Sequence, residues 1–121
     1  MLILVAHGSR DPLWRGSLET LAEMVSARMP SEEIRVAFMQ FEGPTLPDVV
    51  EEAVRSGQTS LRLLPLFMAS AGHVDTDIKP LVDGLARAHP GVQLELMTPV
   101  GEDALFPGLI VDIAADPSTP G

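Results

Sequence analysis

The sequence predicts a single α/β domain of three layers, a four-stranded parallel sheet with flanking helices, and three observations lead there. The run Leu2–Ala6 is apolar throughout, the pattern of a strand buried on both faces. Further short apolar runs recur along the chain, separated by stretches whose apolar residues fall at three-and-four spacing. Strands alternating with helices of that length imply βαβ units with right-handed crossovers. At 121 residues, with no linker and no internal repeat, the chain suits one domain over 1–115.

The elements follow in order. After Leu2–Ala6, the spacing of Leu18, Leu21, Ala22, Val25 and Met29 predicts a helix from about Leu13 to Met29, ended by Pro30. Ile34–Met39 is the second strand. Pro44 or Thr45 opens the second helix, with Pro47 in its first turn, Val49, Val50, Ala53 and Val54 on its buried face, and Gly57 as its stop. Leu61–Phe67 is the third strand. A third helix begins between Thr76 and Pro80 and runs to about His89, before Pro90–Gly91. Val92–Met97 is the fourth strand. Glu102–Ala115 reads as a last helix interrupted at Pro107–Gly108, and 116–121 (DPSTPG) as a disordered tail.

Composition removes several classes of function. The absence of cysteine excludes disulfides, thiolate metal sites and cysteine nucleophiles. Any metal must therefore be held by His, carboxylate or amide groups, which suits borderline or hard divalent ions. No apolar run approaches the ~20 residues that span a bilayer, so a soluble cytoplasmic protein with no membrane partner is expected. A net charge of −9 repels a phosphate backbone and argues against nucleic acid.

Two histidines carry the chemistry. His7 follows the first strand in LILVAHGSR, and His73 follows the third in LRLLPLFMASAGHVDTD. Gln40 and Glu42 follow the second. In a parallel sheet all three loops leave at the carboxyl edge, where open α/β folds place their ligands. Two imidazoles converging there suit a metal or proton-transfer site.

Each segment also has a plainer reading. His7-Gly8-Ser9-Arg10 fits a tight strand-to-helix turn, with Ser9 or Asp11 capping the helix. A phosphate cradle at a helix N-terminus is a weaker second reading, because the segment lacks the glycine density of a P-loop. Ala69-Ser70-Ala71-Gly72-His73 is either a loop that happens to contain histidine or a small-residue surface that lets a large flat ligand approach the backbone. Asp75 and Asp77 could orient His73 or cap the next helix. His89 suits the last turn of its helix, where the dipole favours positive charge. Met24, Met29, Met39, Met68 and Met97 read mostly as core packing, and Glu32–Glu33 and Glu51–Glu52 as solvated faces.

Taken together, LILVAHGSRDP, VAFMQFEGPTL and LLPLFMASAGHVDTDI resemble the short CbiX-type members of the sirohydrochlorin chelatase family, over roughly positions 1 to 101. The resemblance implies a chelatase-like half-lobe that inserts Co2+, or Fe2+ or Ni2+ in related members, into sirohydrochlorin on the way to cobalamin or sirohaem. It implies no tightly bound cofactor, the divalent metal being a substrate. Two copies are expected to pair as a homodimer around the cleft.

On this resemblance His7 and His73 match the family's active-site histidines and would bind metal and accept pyrrole protons, with Glu42 a possible third metal ligand. Gly8, Ser9, Arg10, Ser70, Ala71, Gly72 and Lys79 would contact the macrocycle. Arg10 and Lys79, with Arg15 a weaker third, would meet its carboxylates despite the acidic chain, because screening over ~8 Å leaves local charges in control.

The chain departs from the family pattern at Gln40, where many members carry glutamate, and at Lys79-Pro80, where proline usually comes one position earlier. A neutral amide cannot take a proton. That substitution leaves a second reading open: a non-catalytic tetrapyrrole or metal carrier of the same fold.

Overall fold

The computed structural model describes residues 1–68 and 78–116. They form β1 (Leu2–Ala6), α1 (Pro12–Arg28), β2 (Ile34–Phe38), α2 (Leu46–Arg55), β3 (Ser60–Pro65), α3 (Lys79–Ala88), β4 (Gln93–Leu96) and α4 (Phe106–Ala115). A short 3₁₀ turn over Val100–Glu102 precedes α4. The sheet order is β2-β1-β3-β4 and every pairing is parallel. Helices lie on both faces, as the alternation of elements requires.

The side chains of β1 divide between two apolar clusters. Ile3 and Val5 join Leu61 and Leu63 of β3 under Leu46, Val49, Val50 and Ala53 of α2 and Val82 and Leu85 of α3. Ala6 faces the other way and packs with Phe38 and Leu18 of α1. Successive residues of a strand point to opposite faces, so an apolar run such as Leu2–Ala6 is stable only between two layers.

Local chemistry explains where the helices begin and end. Asp11 caps α1, its carboxylate accepting the Leu13 N–H at 3.0 Å, while Ser9 Oγ accepts the Asp11 N–H at 3.1 Å. Thr45 and Asp48 form a reciprocal capping box at α2. Gly57, at φ +88, takes the left-handed conformation just beyond that helix. Lys79 and Pro80 open α3, where the missing proline N–H would have had no helical partner anyway.

Several expectations are corrected. Only Leu18 of the expected apolar face of α1 is buried, where it packs on Ala6 and Phe38, and Leu21 is exposed. Pro107 does not interrupt a long helix. The chain makes a separate 3₁₀ turn, and Pro107 sits in the first turn of α4, where proline is tolerated. Met24 and Met68 are exposed rather than in the core.

Two of the four glutamates read as solvated faces, Glu32 and Glu52, also form ion pairs. Glu32 lies between the Met1 ammonium, 3.3 Å away, and Arg62, 3.4 Å away. Glu52 receives two hydrogen bonds from the Arg35 guanidinium, at 3.0 and 3.1 Å, tying β2 to α2.

Those Arg35 bonds hold the Glu52 carboxyl below its ordinary value of 4.5. A carboxylate lowered on folding stabilises the folded state above its unfolded pKa, and that contribution disappears as pH falls through the folded value. Urea unfolding of wild type and Glu52→Gln should therefore differ at pH 7 and converge at acidic pH below the folded value. A gap between them that stayed constant with pH would contradict the pairing.

Candidate functional site

Parallel register places the strand ends at one edge of the sheet. Ala6 pairs with Phe38 and Val5 with Pro65, so His7, Met39 and Leu66 leave side by side. Two backbone hydrogen bonds extend the ladder past the strands: Met39 N–H to the Ala6 carbonyl at 2.9 Å, and Leu66 N–H to the Val5 carbonyl at 2.8 Å. His7 therefore stands at the carboxyl edge of the central strand, between the loops that follow β2 and β3.

Its surroundings hold it from two directions. The His7 carbonyl accepts the indole N–H of Trp14 at 2.6 Å. The imidazole stacks on Phe67, with centroids 4.2 Å apart and ring planes 22° from parallel. Phe67 is 4% exposed, so the stacking surface belongs to the core rather than to solvent.

The HGSR turn is built against the loop after β2. A Cβ on Gly8 would overlap the Gln40 carbonyl, so glycine is required for the two loops to meet. Ser9 N–H donates to Glu42 Oε2 at 2.8 Å, and the Arg10 guanidinium lies 5.1 Å from the centre of the Phe41 ring. Phe41 has φ 69, a strained conformation for a bulky residue. Strain of this kind costs about 1–3 kcal/mol and persists where its surroundings impose it. Here those surroundings are Gly8, Ser9 and Arg10.

The expected site residues are thus partly assembled. His7, Gly8, Ser9, Arg10 and Glu42 converge at one edge, together with Gln40, whose side chain is exposed. Lys79 is exposed at the start of α3. Ser70, Ala71, Gly72 and His73, with Asp75 and Asp77, lie outside the described residues. Among the described residues no three His, Asp or Glu side chains form a group that could hold an ion. Arg15 pairs with Glu19 along α1, and His89 sits at the C-cap of α3.

Sequence reasoning missed Phe67 and Trp14. Phe67 reads as one more apolar strand residue, and Trp14 as part of a helix face. Nothing local marks either contact, since Trp14 Nε1–H meets the His7 carbonyl seven residues back and Phe67 comes from a different strand end.

A family model described as CbiX matches residues 1–116. The chain belongs to the CbiX family. It is 36% identical to a sirohydrochlorin cobaltochelatase of Methanocaldococcus jannaschii over 81 residues, which cover 67% of this chain and 57% of the relative. The chain thus spans less than two thirds of that relative's length. It is 26% identical to a sirohydrochlorin cobaltochelatase of Methanosarcina barkeri, over 90% of this chain and 89% of that one.

Among solved structures, a cobalamin-biosynthesis CbiX protein from Marinobacter aquaeolei superposes with a TM-score of 0.81 at 31% identity, covering 93% of this chain and 92% of its own. The sirohydrochlorin chelatase SirB from Bacillus subtilis shares the fold at a TM-score of 0.79 and 23% identity, with this chain covering 50% of it. The CbiX fold therefore occurs both in chains of this length and in chains twice as long.

Within this CbiX-family fold the contact between positions 8 and 40 can be tested directly. Forcing a methyl group into a packed contact costs about 1–3 kcal/mol, and more where only backbone can move. Gly8→Ala should lose at least that much by denaturant unfolding, whereas Gly16→Ala, with open space around it, should not. Equal stability of Gly8→Ala and wild type would mean that the two loops are not in contact.

Proposed function

We propose that this chain inserts a divalent metal, Co2+ first and Fe2+ or Ni2+ as variants, into sirohydrochlorin. The observation that carries the reading is His7, held by backbone and ring at the carboxyl edge of the central strand in a chain that the CbiX model spans almost entirely. Relatives named sirohydrochlorin cobaltochelatase, and one from Bacillus subtilis named sirohydrochlorin ferrochelatase, supply the substrate class.

The chemistry is a metal-for-proton exchange. The macrocycle gives up two pyrrole N–H protons as the ion enters, so charge balances when both protons leave. A neutral imidazole, with an unperturbed pKa of ~6.5, has a lone pair that can ligate the ion or take a proton near neutral pH. His7 and His73 hold the arriving ion, then accept the released protons as the ring nitrogens replace them as ligands.

The other residues position the ring and steer the ion. Arg10 and Lys79 provide cations for the substrate's carboxylates, and the small residues Ser70, Ala71 and Gly72 leave room for a flat macrocycle. Gly8 and Ser9 shape the floor of the turn. Glu42 gives one oxygen to Ser9 N–H and contributes negative potential beside His7. Gln40 cannot accept a proton, so proton removal falls to the imidazoles.

A second copy of the chain completes the cleft. Leu105, Leu109, Ile110, Val111 and Ile113 around α4 are each 50–82% exposed, and an open groove of about 350 Å³ lies between Val100 and Leu109. A contiguous apolar surface of this kind marks an interaction site. Relatives twice as long carry a second lobe's length of chain, and a homodimer supplies the equivalent here.

Two measurements test the reading. With sirohydrochlorin and Co2+ under anaerobic conditions, wild type should change the visible spectrum well above the buffer rate. A His7→Ala/His73→Ala variant should fall by at least about 10²-fold, the usual contribution of positioned acid–base groups. Pigment retained without conversion would support the carrier reading instead. In sedimentation, wild type should run as a dimer and Leu109→Glu as a folded monomer; a monomeric wild type would remove the proposed interface.

A further inference from the structure

We propose that Phe67 is a positioning residue for His7, setting the plane in which its imidazole meets the metal; the proposal rests on the chelatase reading above. The two rings are stacked at 4.2 Å and 22°. The nitrogen lone pair of a neutral imidazole lies in the ring plane, so a partner stacked on the ring face does not itself occupy it. The same partner opposes rotation about the Cβ–Cγ bond. Stacking therefore selects a plane without consuming a ligand atom.

Phe67 is itself firmly anchored. It is buried, and the preceding residue is bound to β1 through Leu66 N–H and the Val5 carbonyl at 2.8 Å. Its own carbonyl accepts the Gly101 N–H at 3.0 Å, from the 3₁₀ turn after β4. A Cβ on Gly101 would overlap the Met68 backbone, so that turn approaches closely only because position 101 is glycine. The backbone that carries the ring is thus tied both to β1 and to the turn after β4. Trp14 holds the backbone of the same histidine at 2.6 Å, so the His7 main chain and side chain are fixed independently. Leucine at position 67 would fill much of the volume but offer no flat face.

The experiment compares wild type, Phe67→Leu, Phe67→Tyr and, as a stability control elsewhere in the same core, Val49→Ala on α2. Metal-free protein is followed through the His7 ring-proton shifts in NMR. Co2+ alone is titrated by calorimetry, and sirohydrochlorin insertion is resolved into kcat and KM. In Phe67→Leu the upfield ring-current shift of His7 should vanish. Co2+ affinity and kcat should each fall by about three- to tenfold, the worth of an aromatic pair beyond its buried area, with KM for sirohydrochlorin unchanged.

Phe67→Tyr should restore all three readouts. Val49→Ala should unfold more easily with an unchanged Co2+ dissociation constant. Wild-type ring shifts or wild-type Co2+ affinity in Phe67→Leu would overturn the proposal. Should wild type insert no metal, the chelatase reading fails, while the positioning of His7 still stands or falls on the ring shifts.

Discussion

Everything at the site depends on β1 being paired on both sides in parallel register. Its five residues are buried on both faces, and its neighbours β2 and β3 run in the same direction. A strand so enclosed cannot slip, because a shift of one residue would reverse which side chains face each cluster. With β1 fixed, the chain must leave the sheet at His7, beside the exits of β2 and β3.

What happens beyond that edge is governed by backbone as much as by side chains. Gly8 lets the turn after β1 touch the Gln40 carbonyl, and Glu42 reaches back to Ser9 N–H. Phe41 is held at positive φ between them, under the Arg10 guanidinium. Glycine, strain and a carboxylate–amide bond thus combine to make one rigid rim from two loops. A rim tied together in this way holds the His7 turn in one position relative to the loop after β2.

The two faces of the sheet are covered unequally. Leu46, Val49, Val50 and Ala53 of α2, with Val82 and Leu85 of α3, bury one face thoroughly. On the side of α1 a single helical residue, Leu18, is fully buried, and α4 presents apolar side chains to the surroundings. Apolar surface left in water costs about 25 cal/mol per Å², so a second surface against α4 would stabilise the molecule.

Much of the fold was legible in order and type of element. The apolar strand Leu2–Ala6, the proline at the start of α2 and the glycine after it are local signals, and local signals survive folding. So does the edge-sharing of His7 and Glu42, since parallel strands separated by helices must emerge on one side. Two things were not legible. The thin cover over α1 depends on which layer lies above it, and three-and-four spacing reports amphipathicity, not the neighbour. The paired roles of Gly8 and Gln40, of His7 and Phe67, and of His7 and Trp14 depend on register between segments. The sequence by itself determined the strands, the caps and the histidine at the strand end, because these follow from side-chain chemistry within a few residues. Only the tertiary structure decided which ring faces His7 and why position 8 can bear no side chain, because those contacts exist only once separate strands have been brought into register.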